Sequence, residues 1–373
     1  MRIALNAMQV RAAKSGVGQY INTLLDSMLR ADHFSQFTLY CSPDNAGSYD
    51  FGARNFKTIE WGLPEAGKTA RLLYEYAFLP RELQSGGFDI FHGMSNFLPR
   101  KRVCPFIVTI HDLSYYVHPE RCPWLRRQYW YAMTRRTMAN ANLIITDSEN
   151  SRRDIETFFP GCAAKTRVVP LAAHPRFQPA LHGRHKSAVT ARGITKPYVL
   201  FVGTLEPGKN VVRLIRAFDA IADDFPDHML VIVGGRGWMC EPVYRAARHA
   251  RARERIMMTG HLHDNELPDF YSFCEVFAFP SLYEGFGMPP LEAMACGAPV
   301  VTSKTSSLPG VVGDAAVMID PESERDLAAA LRRVLRDTAL RDDLRHRGIK
   351  RAAMFSWDAT AAETLKLYKQ ISG

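Results

Sequence analysis

The chain has 373 residues, more than one hydrophobic core usually serves, so two domains are expected. Apolar residues make up 47% and charged residues 23%, the balance of a folded soluble protein, and no apolar run is long enough for a membrane span. The seven cysteines are odd in number, scattered and free of any Cys-x-x-Cys pair, which speaks against a disulfide framework and a zinc site. The net charge of +9 is uneven, with 22 Lys/Arg against 15 Asp/Glu through Phe177. Such an excess suits an anionic partner: a phospholipid surface, a diphosphate-linked substrate or nucleic acid. Residues 1–6 open directly into a strand without the layout of a signal peptide, so a cytoplasmic location is expected.

From there strand-type runs alternate with helical stretches, which predicts parallel sheets with helices on both faces. The opening strand, 2–6, leads into a loop ending Gly16-Val17-Gly18, and then into a helix whose apolar residues Tyr20, Ile21, Leu24, Leu25 and Met28 recur at helical spacing. A Gly-x-Gly between strand and helix admits a phosphate or an acceptor group close to the backbone, or simply makes a tight turn. Residues 88–93 and 104–110 read as strands, the second followed by His111-Asp112-Leu113. In open parallel sheets ligands sit at the carboxyl ends of strands, so this histidine is placed for chemistry, or is a hydrogen-bonded structural residue. The helical stretch 124–136 is dense in aromatic and basic side chains. It fits either a membrane interface or a half-buried helix with a solvated Arg face. Residues 142–146 form a strand running into Ser148, a plausible N-cap; 168–171 reads as the last strand of the first domain and 174–197 as a linker.

The alternation restarts with a strand at 198–202, the loop 203–210 and a helix through Leu214, Ile215, Phe218 and Ile221. Strand, loop and helix start make a phosphate site, with Lys209 at its rim either neutralising a diphosphate or merely solvated. Strands at 230–233 and 256–260 and a helix at 265–273 precede the most distinctive stretch, 280–301, which reads as loop, short helix and strand after a strand at 276–279. Pro289 and Pro290 suit a first helical turn, and Gly297 the left-handed position beyond its end. Because the prolines remove N–H donors, the helix start is a poor phosphate cradle; the N–H groups of Phe286, Gly287 and Met288 suit neutral hydroxyls better. The loop therefore reads as a polyol site, with Glu284 and Glu292 gripping sugar hydroxyls. The alternative is that Glu292 only complements the helix dipole while Glu284 is solvated. Residues 303–313 read as a polar loop, 324–337 and 340–354 as surface helices, and 356–370 as a closing helix.

The stretch resembles the Glu-x7-Glu signature of the retaining, nucleotide-sugar-dependent glycosyltransferases of family 4. It matches from Glu284-Gly285-Phe286-Gly287-Met288-Pro289 to Glu292-Ala293-Met294-Ala295-Cys296-Gly297-Ala298-Pro299-Val300-Val301. The phrases Val108-Thr109-Ile110-His111-Asp112-Leu113 and Gly203-Thr204-Leu205-Glu206-Pro207 are similar to those of the mannosyltransferase-like bacterial branch. The resemblance implies an α/β protein of the GT-B kind, two doubly wound Rossmann-like domains facing across a cleft. Its first domain would be 1–175, with the helix 356–373 packing back on it; 176–196 would link it to a nucleotide-sugar domain, 197–355.

The resemblance further implies a metal-independent hexosyltransferase without a cofactor, the nucleoside-diphosphate sugar being its co-substrate. His111, Glu284 and Lys209 are its expected catalytic residues. Glu284, Gly285 and the N–H groups of Phe286, Gly287 and Met288 would hold the sugar, and Glu292 the ribose. Lys209, beside Gly203 and Thr204, would face the diphosphate, with His111, Gly16, Val17 and Gly18 contributed by the first domain. The chain departs from the family in one respect: the arginine that relatives place just before the lysine, or five residues ahead of it, is replaced by Gly208 or Thr204. The expected donor is GDP-mannose, and dTDP-rhamnose, UDP-glucose or UDP-galactose are alternatives, as is a non-catalytic sugar-nucleotide-binding relative. The expected acceptor is a polyprenyl-diphosphate-linked saccharide of bacterial lipopolysaccharide or exopolysaccharide assembly, met at the anionic inner-membrane surface by a peripheral protein. No nucleic-acid-binding module appears, so nucleic acid is not an expected partner.

Overall fold

Short apolar strands separated by helices need both faces covered, and parallel pairing with crossover helices is the arrangement that covers them. The structure, a computed structural model, describes residues 1–10, 16–61, 68–180 and 187–372, and builds two all-parallel sheets. They belong to two compact units, one of Met1–Leu171 with Ser356–Gly373, the other of Ala172–Phe355.

The first unit contains β1 (Arg2–Asn6), β2 (Gln36–Cys41), β3 (Phe56–Glu60), β4 (Ile90–Gly93), β5 (Phe106–Ile110), β6 (Leu143–Thr146) and β7 (Thr166–Val168), in the order β3-β2-β1-β4-β5-β6-β7. Successive strands step outward from β1 on one side and from β4 on the other. The reversal between β1 and β4 is the switch point, where a doubly wound sheet opens a crevice beyond its strands' carboxyl ends. β4, β5 and β6 are buried along their whole length, His92, Thr109 and Thr146 included. Two boundaries differ from expectation. The opening helix is Gly16–Ala31, so Gly16, Val17 and Gly18 form its first turn and do not end a loop. β7 ends at Val168, where the sequence pattern placed a strand's beginning. The closing helix, Trp357–Ser372, packs along the opening helix, and its Thr360 hydroxyl donates to the Pro170 carbonyl at 2.7 Å.

The second unit contains β8 (Tyr198–Val202), β9 (Met229–Val233), β10 (Ile256–Gly260), β11 (Val276–Phe279), β12 (Val300–Ser303) and β13 (Ala316–Ile319), in the order β10-β9-β8-β11-β12-β13. Its switch point lies between β8 and β11. The stretch expected to be a linker is packed into this unit instead. Phe177 is buried edge-on to Tyr271, with ring centroids 5.8 Å apart; Arg176 pairs with Asp264 at 3.2 Å; and Ser187–Ala191 is helical. Residues 181–186 of it lie outside the described residues. The polar loop at 303–313 likewise contains a helical turn, Leu308–Val312, started by Ser307 and Pro309.

Candidate active site

In the second unit the loops leaving β8 and β11 flank the switch point, and they are laced together. The Gly208 carbonyl accepts from the Leu282 N–H at 2.9 Å and from the Ser281 hydroxyl at 3.1 Å. Asn210, in the left-handed conformation at φ 59°, donates its side-chain amide to the Pro280 carbonyl at 3.0 Å and to that of Pro321 at 2.7 Å. This lacing brings Lys209 onto Glu284, with Nζ 2.7 and 2.9 Å from the two carboxylate oxygens. The two side chains keep 20% and 12% of their surface exposed, so the pair is partly open to solvent. An anion arriving there meets an ammonium group that already tolerates an oxyanion ligand.

Around Glu284 the loop is held by the following helical turn. The Glu284 N–H donates to Ser306 Oγ at 3.0 Å, while Ser307 Oγ stands 3.0 Å from the Glu284 carbonyl and 2.6 Å from that of Phe286. Gly287 caps the helix Met288–Ala295 at φ 110°, and a Cβ there would come within 2.7 Å of Leu308, so glycine is required twice over. The N–H groups of Phe286, Gly287 and Met288 stand at or before the first helical turn and outside its ladder. Glu292 is not at the rim. It lies inside that helix, 7% exposed, and accepts from the Tyr271 hydroxyl at 3.0 Å. Burial raises its carboxyl to about 7, with Tyr271 and Arg176 only partly offsetting the rise. It is therefore a carboxyl able to donate or accept near neutral pH.

Gly203 has a structural reason for its identity. Its N–H completes the ladder to Val233 at 2.9 Å, its carbonyl lies against Gly234, and a Cβ would press on Phe201 at 3.2 Å. Thr204 packs beside Gly237, whose own N–H donates to the Leu205 carbonyl at 3.0 Å. Gly208 is different, because a Cβ there would meet nothing nearer than Glu206 Oε1 at 3.8 Å. Arg213, one possible substitute for the missing guanidinium, is spent on the Asn210 side chain and the Pro321 carbonyl. Arg236 leaves the carboxyl end of β9 with its guanidinium 4.5 Å from the centroid of the Tyr244 ring.

In the first unit His111 follows β5 and is fixed on every polar atom. Nδ1 lies 2.7 Å from Asp147 Oδ2 and Nε2 lies 3.2 Å from the Met94 carbonyl; the backbone N–H donates to Asn96 Oδ1 and the carbonyl accepts from the Ser151 hydroxyl. Burial pulls the imidazole toward neutrality. The charge and hydrogen bond of Asp147, aided by Asp112 and the Met94 carbonyl, outweigh it and hold the ring above its ordinary value. Since both ring nitrogens face acceptors, the geometry suits an imidazolium, a fixed cation rather than a base. Asp112 makes an Asx turn, accepting from the Ser114 N–H at 2.8 Å.

A family model described as glycosyltransferase family 4 matches residues 14–176, and one described as glycosyl transferases group 1 matches residues 185–351. O-antigen chain mannosyltransferase B of Escherichia coli is 33% identical over 286 residues, which cover 75% of this chain and 74% of that protein. The chain belongs to glycosyltransferase family 4. Among solved structures, sucrose-phosphate synthase from Thermosynechococcus elongatus superposes with a TM-score of 0.79 over 99% of this family 4 chain and 98% of its own, at 21% identity. The Anabaena protein HepE, solved in complex with UDP-glucose, does so with 0.76 over 98% and 100%, at 17% identity. The two parallel sheets of this glycosyltransferase are thus those of the GT-B fold.

The structure brings Lys209, Glu284 and the loop 285–288 together, and Glu292 joins them through its helix. Gly16, Val17 and Gly18 stand with His111 in the other unit. Sequence reasoning missed Asp147, Tyr271, Ser306 and Ser307, which orient the named residues. Asp147 carried one faint signal, its place between a strand's end and the N-cap Ser148, whose hydroxyl accepts from the Ser151 N–H at 3.1 Å.

Proposed function

We propose that this glycosyltransferase moves a mannosyl residue from GDP-mannose to a saccharide hydroxyl, with retention at the anomeric carbon, in the assembly of a lipopolysaccharide O-antigen. The observation that carries the nucleotide-sugar part is the Lys209–Glu284 pair at the switch point of the second unit. A donor diphosphate would take over Lys209, freeing both Glu284 oxygens to accept hydrogen bonds from sugar hydroxyls, with the N–H groups of Phe286, Gly287 and Met288 beside them. Glu292, neutral or charged near pH 7, would hold the ribose. The leaving diphosphate is stabilised by a cation and backbone dipoles, so no carboxylic acid need protonate it, and a β-phosphate oxygen can take the acceptor's proton. Mannose and the O-antigen pathway are supported by the likeness to the Escherichia coli mannosyltransferase over three quarters of the chain.

For the acceptor we favour a saccharide on polyprenyl diphosphate. The helix Trp124–Asn140 leaves Trp124, Leu125, Arg126 and Tyr129 exposed in its first half and buries Met133, Thr134, Thr137 and Met138 in its second. Exposed rings beside arginine suit the headgroup region of an anionic membrane. No helix among the described residues is long and apolar enough to cross one.

Calorimetric titration of the whole chain with GDP, UDP, TDP and their sugars, without added metal, tests the donor. Selective binding of GDP and GDP-mannose is expected. Binding of no nucleotide would overturn the reading, and strong inhibition of transfer by EDTA would overturn its metal independence.

A further inference from the structure

A continuous polar chain runs through the core of the first unit and ends at Tyr20, whose ring packs against His111. Tyr368, on the closing helix, has its hydroxyl 2.6 Å from His92 Nδ1; His92 Nε2 is 2.9 Å from Thr109 Oγ1; and Thr109 Oγ1 is 3.0 Å from the Tyr20 hydroxyl. The Tyr20 ring then stands edge-on to the His111 imidazole, with centroids 4.7 Å apart and planes at 84°. All four residues of the chain are buried, His92, Thr109 and Tyr368 completely. The links come from four elements: the closing helix, β4, β5 and the opening helix.

We propose that Tyr20 is the positioning residue for His111, and that the buried chain Tyr368–His92–Thr109 holds Tyr20 in place for it. This rests on the reading of His111 as a functional group. The imidazole is held through its two nitrogens, by Asp147 and by the Met94 carbonyl. Those bonds fix its nitrogens, and the Tyr20 ring, set edge-on at 84° with centroids 4.7 Å apart, packs on the ring itself and limits where the side chain can shift.

Hydrogen accounting makes the chain cooperative. Burial, with the nearby His111, lowers His92 to about 3, so it is neutral and owns one N–H and one lone pair. It must therefore donate to one hydroxyl neighbour and accept from the other, which couples the orientation of Tyr368 to that of Thr109 and hence to Tyr20. Tyr20 also lies in the opening helix just beyond Gly16, Val17 and Gly18. One side chain thus sets His111 and that helix terminus in a common register.

The test compares Tyr20→Phe, Tyr20→Leu, Tyr368→Phe and the Tyr20→Phe/Tyr368→Phe double variant in the full chain. It measures thermal unfolding, the kcat and KM for GDP-mannose, and the ring resonances of His111 by histidine-selective NMR. Misplacing a functional group without touching the donor should lower kcat about fivefold for Tyr20→Phe and about thirtyfold for Tyr20→Leu, with KM within about twofold. Because Tyr368 acts through Tyr20, the double variant should be no slower than Tyr20→Phe alone. The His111 resonances should move in Tyr20→Leu and, by less, in Tyr368→Phe.

Wild-type kcat and unmoved His111 resonances in a folded Tyr20→Leu protein would overturn the proposal, as would fully multiplicative losses in the double variant. If the wild type turns over no sugar nucleotide, the functional reading of His111 fails by itself. The resonances still decide whether Tyr20 and Tyr368 position that ring.

Discussion

His111–Asp147 and Lys209–Glu284 are both 2.7 Å ion pairs beyond the carboxyl ends of parallel strands, yet their surroundings differ. His111 keeps 14% of its side chain exposed and Asp147 4%, and the histidine's backbone and ring atoms are all engaged. Lys209 and Glu284 hold each other across two loops and remain 20% and 12% exposed. Parting the first pair strands a charge among groups that are all engaged, whereas the second stands at the switch point, where an incoming anion can replace the carboxylate on Lys209. On the proposed function, His111 is held as a fixed imidazolium within its pair, and Lys209 would exchange its carboxylate for a substrate anion.

The sharpest way to break this comparison is to remove the exchangeable cation. Lys209→Met should cost turnover on the order of 10²–10³-fold, as expected for a preorganised group facing developing charge. The same variant should lose about 1–3 kcal/mol of stability, because the mostly buried Glu284 is left without its cation. Steady-state kinetics and denaturant unfolding read both; a variant that folds poorly but turns over normally would reverse the assignment. In the first unit Asp147→Ala should cost at least as much stability. Stranding His111 is expected to cost about 3 kcal/mol, and the ring should lose its proton at a lower pH, seen by histidine NMR.

Glu292 sharpens the comparison through pH. Its carboxyl is raised to about 7 in the folded chain, so between the ordinary carboxylate value and 7 the folded state binds a proton that the unfolded state has lost. Its contribution to stability is therefore complete at low pH and declines as pH rises through that window. Glu292→Gln keeps an acceptor for Tyr271 and removes the titration. Relative to the wild type it should gain about 2 kcal/mol between pH 5 and pH 8, read by unfolding at each pH. It should also weaken donor binding, and a flat difference would refute the raised value.

The smallest effect expected is a gain. Space beside Gly208 admits a side chain, so Gly208→Arg should supply a second cation to a bound diphosphate and tighten donor binding roughly threefold to tenfold by calorimetry. Weaker binding would mean that the lacing of Gly208 to Leu282 cannot tolerate the substitution.

Much of this was legible in the residues alone. Ten of the strands appeared because each is a short, mainly apolar run between helical stretches, while β2, β3 and β13 went unread; the loop 284–288 with Glu292 appeared because its parts are near neighbours in the chain. Boundaries suffered where two states share one composition. Gly16, Val17 and Gly18 read as the end of a loop, but they begin a helix. The linker reading followed from polar residues and prolines, and missed that Phe177 finds Tyr271 and Arg176 finds Asp264. Glu292 read as a carboxylate gripping sugar hydroxyls, and its buried contact went unseen because its neighbour Tyr271 lies 21 positions away.

The sequence by itself determined the alternation of strands and helices, the family, the capping and turn residues, and the motif whose members lie within one loop and one helix. Those depend on local sterics and on periods of two and 3.6, which neighbouring residues encode. Only the tertiary structure decided which charges meet. Lys209 and Glu284 are 75 positions apart, His111 and Asp147 are 36, and His92 and Tyr368 are 276. Their pairing follows from strand order, which sets β8 beside β11 and β5 beside β6, and from the packing of the closing helix on the opening one and on β4. Strand order reflects how long connections and buried faces fit together, and no local pattern in the chain carries it.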